Sequence, residues 1–136
     1  MIRVCLDSNV LVAAFAARGL CSDLLAHVLS EQHMVVPDAV REEALRVLSV
    51  KIKLSPEALD SVVAVLDRCE RAPVSSEPSP VPVPDPDDAK ILADAVAAGV
   101  QILVTGDRDL LDVAEQSPIP ILSPRAFLML TRGGAL

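Results

Sequence analysis

Short apolar runs punctuate this chain at intervals that longer amphipathic stretches fill. The first, Ile2 to Leu6, stops abruptly at Asp7-Ser8-Asn9. Met34 to Val36 is closed by Pro37, Gln101 to Thr105 by Gly106-Asp107, and Ile119 to Leu122 by Ser123-Pro124. Runs so short and so nearly free of polar residues suit strands buried on both faces of a parallel sheet. Between them the spacing turns helical. Asn9 to Ala17 predicts a helix capped by Ser8 or Asn9, and Ser22 to Ser30 predicts a second with Leu24, Leu25, Val28 and Leu29 on one face. Asp38 to Val50 carries an apolar stripe of Val40, Ala44, Val47 and Leu48. Ser55-Pro56-Glu57 opens another helix that runs to about Arg68, with a cap followed by proline at the first helical position.

Six prolines fall between Pro73 and Asp87, which excludes a helix or a central strand there. An extended surface connection is expected instead. Helical spacing resumes from Asp88 to Ala98, closed by Gly99. A short helix from Asp107 to Glu115 and a last one from Arg125 to Leu130 complete the pattern. Alternating strands and helices predict a three-layer α/β/α fold around a mostly parallel sheet of about four to five strands. Neither side of the proline-rich stretch holds enough strands for a sheet of its own, so residues 1–136 are expected to form one domain.

Composition narrows the function. Phe15 and Phe127 are the only aromatic residues, so base stacking on aromatic side chains is largely excluded. The net charge of −7 is not that of a plain nucleic-acid binder, whose affinity comes from neutralising phosphates. Such a charge serves solubility, or is partly neutralised by bound metal. Cys5, Cys21 and Cys69 have no paired spacing, and His27 and His33 have no partners at ligand spacing, so neither a disulfide framework nor a zinc pattern follows. The polar Asp7 to Asn9 comes too early for a signal peptide, and no apolar run is long enough for a membrane span. A reducing cytoplasm is the expected location.

The acids carry the chemistry. Asp7 and Asp107 each follow a strand, where open α/β sheets place their ligands. Glu43 lies along the buried edge of its helix, three residues after Val40 and four before Val47, whereas Glu42 falls on the solvated side. Pairing with Arg46 or Arg41 is the competing explanation for Glu43. Asp88 shares a face with Ile91, Leu92 and Ala95, and Asp94 does not. Asp88 also suits the first turn of a helix capped by Asp85, with Pro86 at its first position. Asp107 could equally cap the helix after it, and Asp109 could reach the same cluster from that helix's first turn. Asp7 has the fewest alternatives, since Ser8 or Asn9 would serve as the cap. Gathered acids without a cation would repel, and oxygen-only ligands suit Mg²⁺ or Mn²⁺.

Four segments together resemble the PIN-domain family, most closely the toxin half of bacterial and archaeal toxin–antitoxin pairs. They are Leu6-Asp7-Ser8-Asn9-Val10-Leu11, Val40-x-x-Glu43, Asp85-Pro86-Asp87-Asp88-Ala89, and Leu103-Val104-Thr105-Gly106-Asp107-Arg108-Asp109-Leu110-Leu111. The resemblance implies a ribonuclease dependent on Mg²⁺ or Mn²⁺. It implies Asp7, Glu43, Asp88 and Asp107 as catalytic metal ligands, Asp109 as a fifth member, and Asn9 and Thr105 as residues that orient the acids. It also implies an RNA substrate, an antitoxin that covers the site, and a homodimer. Lys90 and Arg108 lie next to proposed ligands and are candidates for RNA phosphate contacts; Arg41, Arg46, Lys51 and Lys53 are a second basic group. The alternatives are a catalytically weak PIN-like interaction module and an RNA-processing nuclease outside toxin–antitoxin systems. A phosphoryl-transfer or receiver-like protein is disfavoured by the absence of a phosphate-cradling Gly-rich loop.

Overall fold

The computed structural model describes residues 1–134, so the last two residues of the expected 1–136 domain lie outside the described residues. The elements run β1 (Arg3–Leu6), α1 (Ser8–Ala16), α2 (Leu20–Glu31), β2 (His33–Pro37), α3 (Asp38–Arg46), α4 (Pro56–Asp67), β3 (Glu70–Ala72), α5 (Pro86–Ala97), β4 (Ile102–Val104), α6 (Arg108–Leu111), β5 (Ile121–Leu122) and α7 (Pro124–Arg132). A π-helical turn, Val47–Lys51, continues directly from α3. The five strands form one sheet in the order β3-β2-β1-β4-β5, and every pairing is parallel. No single helix among the described residues is long and apolar enough to cross a membrane.

Both faces of the sheet are covered, which is why its strands read as unbroken apolar runs. Val4, Leu6, Met34, Val36, Ile102 and Val104 face one core with side chains of α1, α2, α3, α4 and α7, including the buried Phe127. Cys5, Val35, Leu103 and Ile121 face the other, against α5, α6 and Val81 of the proline-rich connection. That connection is irregular between β3 and α5 and lies over the second core.

Three features depart from the sequence expectation. Glu70–Ala72 is a strand, although no apolar run marks it. It is held at the sheet edge by pairing with β2 and by Glu70, which accepts from the two terminal guanidinium nitrogens of Arg3 at 2.8 and 2.6 Å and lies 2.9 Å from His33 Nε2. Arg3, with His33 beside it, pulls the Glu70 carboxyl down to about 2. Arg3 also donates to the carbonyls of Ala98 and Gly99, so one side chain ties β1 to β3 and to the end of α5. Gly99 ends that helix with φ +74°, a left-handed conformation that costs little only in glycine. The second departure is the π-helical turn, which interrupts the helix expected through Val50. The third is Asp94, expected off the buried face of α5 but only 1 % exposed. The proline-rich connection passes over it, and Asp94 Oδ1 accepts the Ser75 N–H at 2.8 Å.

Strand order places the functional crevice. The chain leaves β1 toward β2 on one side and leaves β4 toward β5 on the other. Between the carboxyl ends of two such strands lies the usual ligand site of an open α/β sheet. Asp7 directly follows β1, and Asp107 follows β4 after a two-residue step.

Candidate metal centre

Asp7 caps α1, where either Ser8 or Asn9 was expected. The chain turns into the helix one residue earlier than the apolar pattern suggests, so Asp7 Oδ1 accepts the Ser8 N–H at 2.7 Å. Its other oxygen accepts from Asn9 Nδ2 at 3.1 Å and from the Thr105 hydroxyl at 2.7 Å. Burial pushes the Asp7 carboxyl above its ordinary range, and the Asp107 carboxylate adds to this. The hydrogen bonds from Thr105, Ser8 and Asn9 oppose the shift.

Asp107 caps α6, its Oδ1 accepting the Asp109 N–H at 2.9 Å. Its own N–H donates to Thr105 Oγ1 at 2.9 Å, so Thr105 ties the two strand ends together. Asn9 does the same from the other side: Asn9 Oδ1 accepts the Gly106 N–H at 3.0 Å. A side chain at Gly106 would bring its Cβ to 3.4 Å of that oxygen, so the loop fits closely around Asn9. Helix α6 is shorter than the expected span, ending at Leu111 rather than Glu115.

Asp85 caps α5, accepting the N–H groups of Asp87 and Asp88 at 2.8 and 3.2 Å through Oδ1. Asp88, in the first turn of that helix, is 7 % exposed. Its buried Oδ2 has no hydrogen-bond partner among the described residues. Burial pushes the Asp88 carboxyl up to about 7, followed in effect by Asp107 and then by Asp7 and Asp85. Placement at the helix N-terminus alone would have favoured the charged form, so the neighbouring carboxylates and desolvation win.

These side chains share one cavity of about 440 Å³, lined by Asp7, Asn9, Glu43, Asp88 and Asp107 among others. Glu43 sits at its rim, paired with Arg46 at 2.8 Å, so the pocket position and the ion pair coexist. Glu42 also lines the cavity, contrary to the expectation that helical phase separates it from Glu43. Glu42 is nonetheless exposed, as the helical phase predicts, and Glu43 is more buried. Asp85 and Asp87 complete the acidic wall, against which stand two bases, Arg46 and Lys90. Asp109 is not among the lining residues but reaches the cluster through Asp85 and Asp88, one oxygen of each of the three lying within 4.8 Å of the others. Sequence spacing showed Asp85 only as a cap. Arg41 is paired with Asp67.

An all-carboxylate donor set with a buried, unpartnered oxygen suits a hard divalent cation. Without one, burial and the neighbouring carboxylates favour the protonated form of Asp88.

A family model described as PIN domain matches residues 3–109, a span that contains β1 through the start of α6 and every acid of the cavity. The chain belongs to the PIN-domain family. No curated protein matches it by sequence. Among solved structures, this PIN domain is similar to VapBC2 from Rickettsia felis bound to a promoter DNA fragment: identity 19 %, TM-score 0.62, covering 89 % of this chain and 97 % of that one. It is similar to DNA-bound VapBC from Salmonella typhimurium, with identity 19 %, TM-score 0.62 and coverage of 91 % and 99 %. It is also similar to PAE2754 from Pyrobaculum aerophilum, with identity 17 %, TM-score 0.60 and coverage of 99 % and 91 %. At these identities the likeness is one of fold, and it agrees with the five-stranded parallel sheet.

Proposed function

We propose that this PIN domain is a divalent-metal-dependent endoribonuclease and the toxin of a toxin–antitoxin pair. The observation that carries the reading is the convergence of Asp7, Glu43, Asp88 and Asp107 on one cavity at the switch point of the sheet. Family membership supports a nuclease. The toxin assignment is supported by fold similarity to two VapBC complexes.

Asp7, Asp88 and Asp107 are the direct ligands of Mg²⁺ or Mn²⁺ in this reading, with Glu43 at the outer edge. Mg²⁺ keeps several waters, so few protein ligands suffice. The cation supplies Lewis acidity, a water of lowered pKa and charge for the leaving oxygen. The protein's part is positional. Thr105 and Asn9 fix the rotamer of Asp7, and Thr105 fixes the Asp107 loop. Such supporting contacts set ligand orientation. Arg46 holds Glu43 at the rim. Lys90 on the cavity wall and Arg108, exposed beside Asp107, offer cations to the RNA backbone. The acidic surroundings repel RNA until a cation is bound, so metal and substrate binding are coupled. The cognate antitoxin and a second copy of the chain are the proposed protein partners, and the cytoplasm the proposed location.

The test is cleavage of single-stranded RNA by purified protein with Mg²⁺ or Mn²⁺ and by Asp7→Asn. Metal-dependent cutting by the wild type, lost in the variant, supports the enzyme. Metal binding without cutting would leave an interaction module. Release of cleavage inhibition on removal of a co-expressed small partner would support the toxin assignment.

A further inference from the structure

We infer that a second cavity, over the carboxyl ends of β2 and β3, is a base-binding subsite for single-stranded RNA in which the Arg71 guanidinium stacks one nucleobase. This cavity measures about 420 Å³, a volume in the range of small-molecule sites. It is lined by Asp38, Arg41, Asp67 and Arg71, with the buried Val36 and Leu66 as its apolar side. Val36 of β2 lies opposite Arg71 of β3 in the parallel register, and Asp38 directly follows β2. The cavity therefore lies at the same edge of the sheet as the acidic one. Glu42 lines both, which makes them neighbours along α3. β3 is two strands from β1, and adjacent strands are about 4.8 Å apart, so the two positions are roughly 10 Å apart across the sheet.

Single-stranded RNA is held by stacking its bases on flat side chains, either aromatic rings or guanidinium planes. The aromatic route is closed here, because Phe127 is fully buried and Phe15 packs against the first core. Arg71 provides the other. Its Nε and Nη2 donate to Asp38 Oδ1 and Oδ2 at 2.6 and 2.8 Å. Two bonds through one edge fix the orientation of the plane, and the side chain nonetheless remains 75 % exposed. An exposed ion pair contributes little to stability. A guanidinium already held in place, however, loses less freedom when a ligand arrives. Arg41 is paired with Asp67 at 2.9 Å and is the less exposed of the two arginines. It offers a second fixed charge, for the phosphate next to the stacked base.

The inference extends the nuclease reading and rests on it for the identity of the ligand as RNA. Its test changes substrate and protein together. Short single-stranded RNAs, each with one abasic ribose at a different position around the cut, are given with Mg²⁺ to wild type and to Arg71→Lys. Lysine keeps the charge and loses the plane, and at so exposed a position the melting temperature should not change. In wild type, loss of the base at one position should lower kcat/KM about tenfold, through KM. Arg71→Lys should show that loss with every base present, and the abasic ribose should cost it nothing further.

A tenfold penalty that persists in Arg71→Lys overturns the inference, as does a wild type that senses no missing base; a cavity serving a protein partner would behave in this way. Full activity in Arg71→Lys with a loss in Arg71→Ala also overturns it, since charge alone would then suffice. If wild type cuts no RNA, the same comparison is read from the fluorescence anisotropy of the intact, labelled oligonucleotides. Coupling between the missing base and Arg71→Lys in that assay upholds the subsite while removing the nuclease reading. Cleavage without coupling does the reverse, and RNA neither cut nor bound removes both.

Discussion

The Thr105 hydroxyl donates a 2.7 Å hydrogen bond to Asp7 Oδ2, joining residues 98 positions apart at the ends of two neighbouring strands. Thr105 is fully buried, and its oxygen also accepts the Asp107 N–H at 2.9 Å. One hydroxyl thereby sets the spacing of two acids that the chain delivers separately.

Replacing Thr105 by valine keeps the shape and removes both bonds. Loss of such a supporting contact lowers metal affinity by about 10–100-fold. Mn²⁺ titration of Thr105→Val should show a loss of that order, with the far-ultraviolet circular dichroism unchanged. An unaltered affinity would mean that Asn9 and Ser8 alone suffice to hold Asp7.

Asp7 both caps α1 and is a proposed ligand, and two substitutions separate these roles. Asparagine caps as well as aspartate, so Asp7→Asn should keep the melting temperature while RNA cleavage falls more than a hundredfold, since a metal contact supplies several kcal/mol and about 1.4 kcal/mol is tenfold. Asp7→Ala should in addition cost about 1 kcal/mol of stability for the lost cap. Cleavage by Asp7→Asn at the wild-type rate would remove Asp7 from the chemistry.

The metal-free protein should become less stable as the pH rises from about 4 to about 7. Burial and the Asp107 carboxylate hold Asp88 up to about 7 in the folded chain, well above its unfolded range. The folded state therefore keeps a proton there that the unfolded state has released, and stability falls with pH across that window. Asp7, also raised, acts in the same direction. Thermal melts of metal-stripped protein should show the decline, Asp88→Asn should flatten it, and Mg²⁺ should reverse it at pH 8. A flat profile in the wild type would show that neither burial nor the neighbouring carboxylates raise Asp88 in the folded chain.

Much of this was legible in the sequence because of where the information lies. Leu6-Asp7 and Thr105-Gly106-Asp107 mark strand ends, and strands buried on both faces betray themselves as apolar runs. Glu70–Ala72 does not, because Arg3, His33 and β2 make that strand from outside. Asp94 was misplaced for a related reason. A helical wheel assumes one buried face, whereas Ile91 to Ala95 are all buried between the sheet and the proline-rich connection. Asp85 was recognisable as a cap, but its approach to Asp109 depends on how α5 meets α6, which no local pattern encodes.

That burial of Asp94 has its own consequence. Its bond to the Ser75 N–H fastens the connection leading to Asp85. One hydrogen bond contributes about 1 kcal/mol, roughly a fivefold change in the open population. Asp94→Ala should thus be nicked within residues 73–84 several times faster by a nonspecific protease, and Asp94→Asn, which keeps the acceptor, should not. Equal nicking of both would show that the apolar packing of Val81 and Val83, rather than this bond, fastens the connection.

The most direct measurement follows RNA cleavage as Mg²⁺ is returned to the chelator-stripped wild-type protein. The gathered carboxylates should be inert toward RNA without the ion and should cut once it saturates the cavity. Cutting at the same rate in excess chelator would contradict the account.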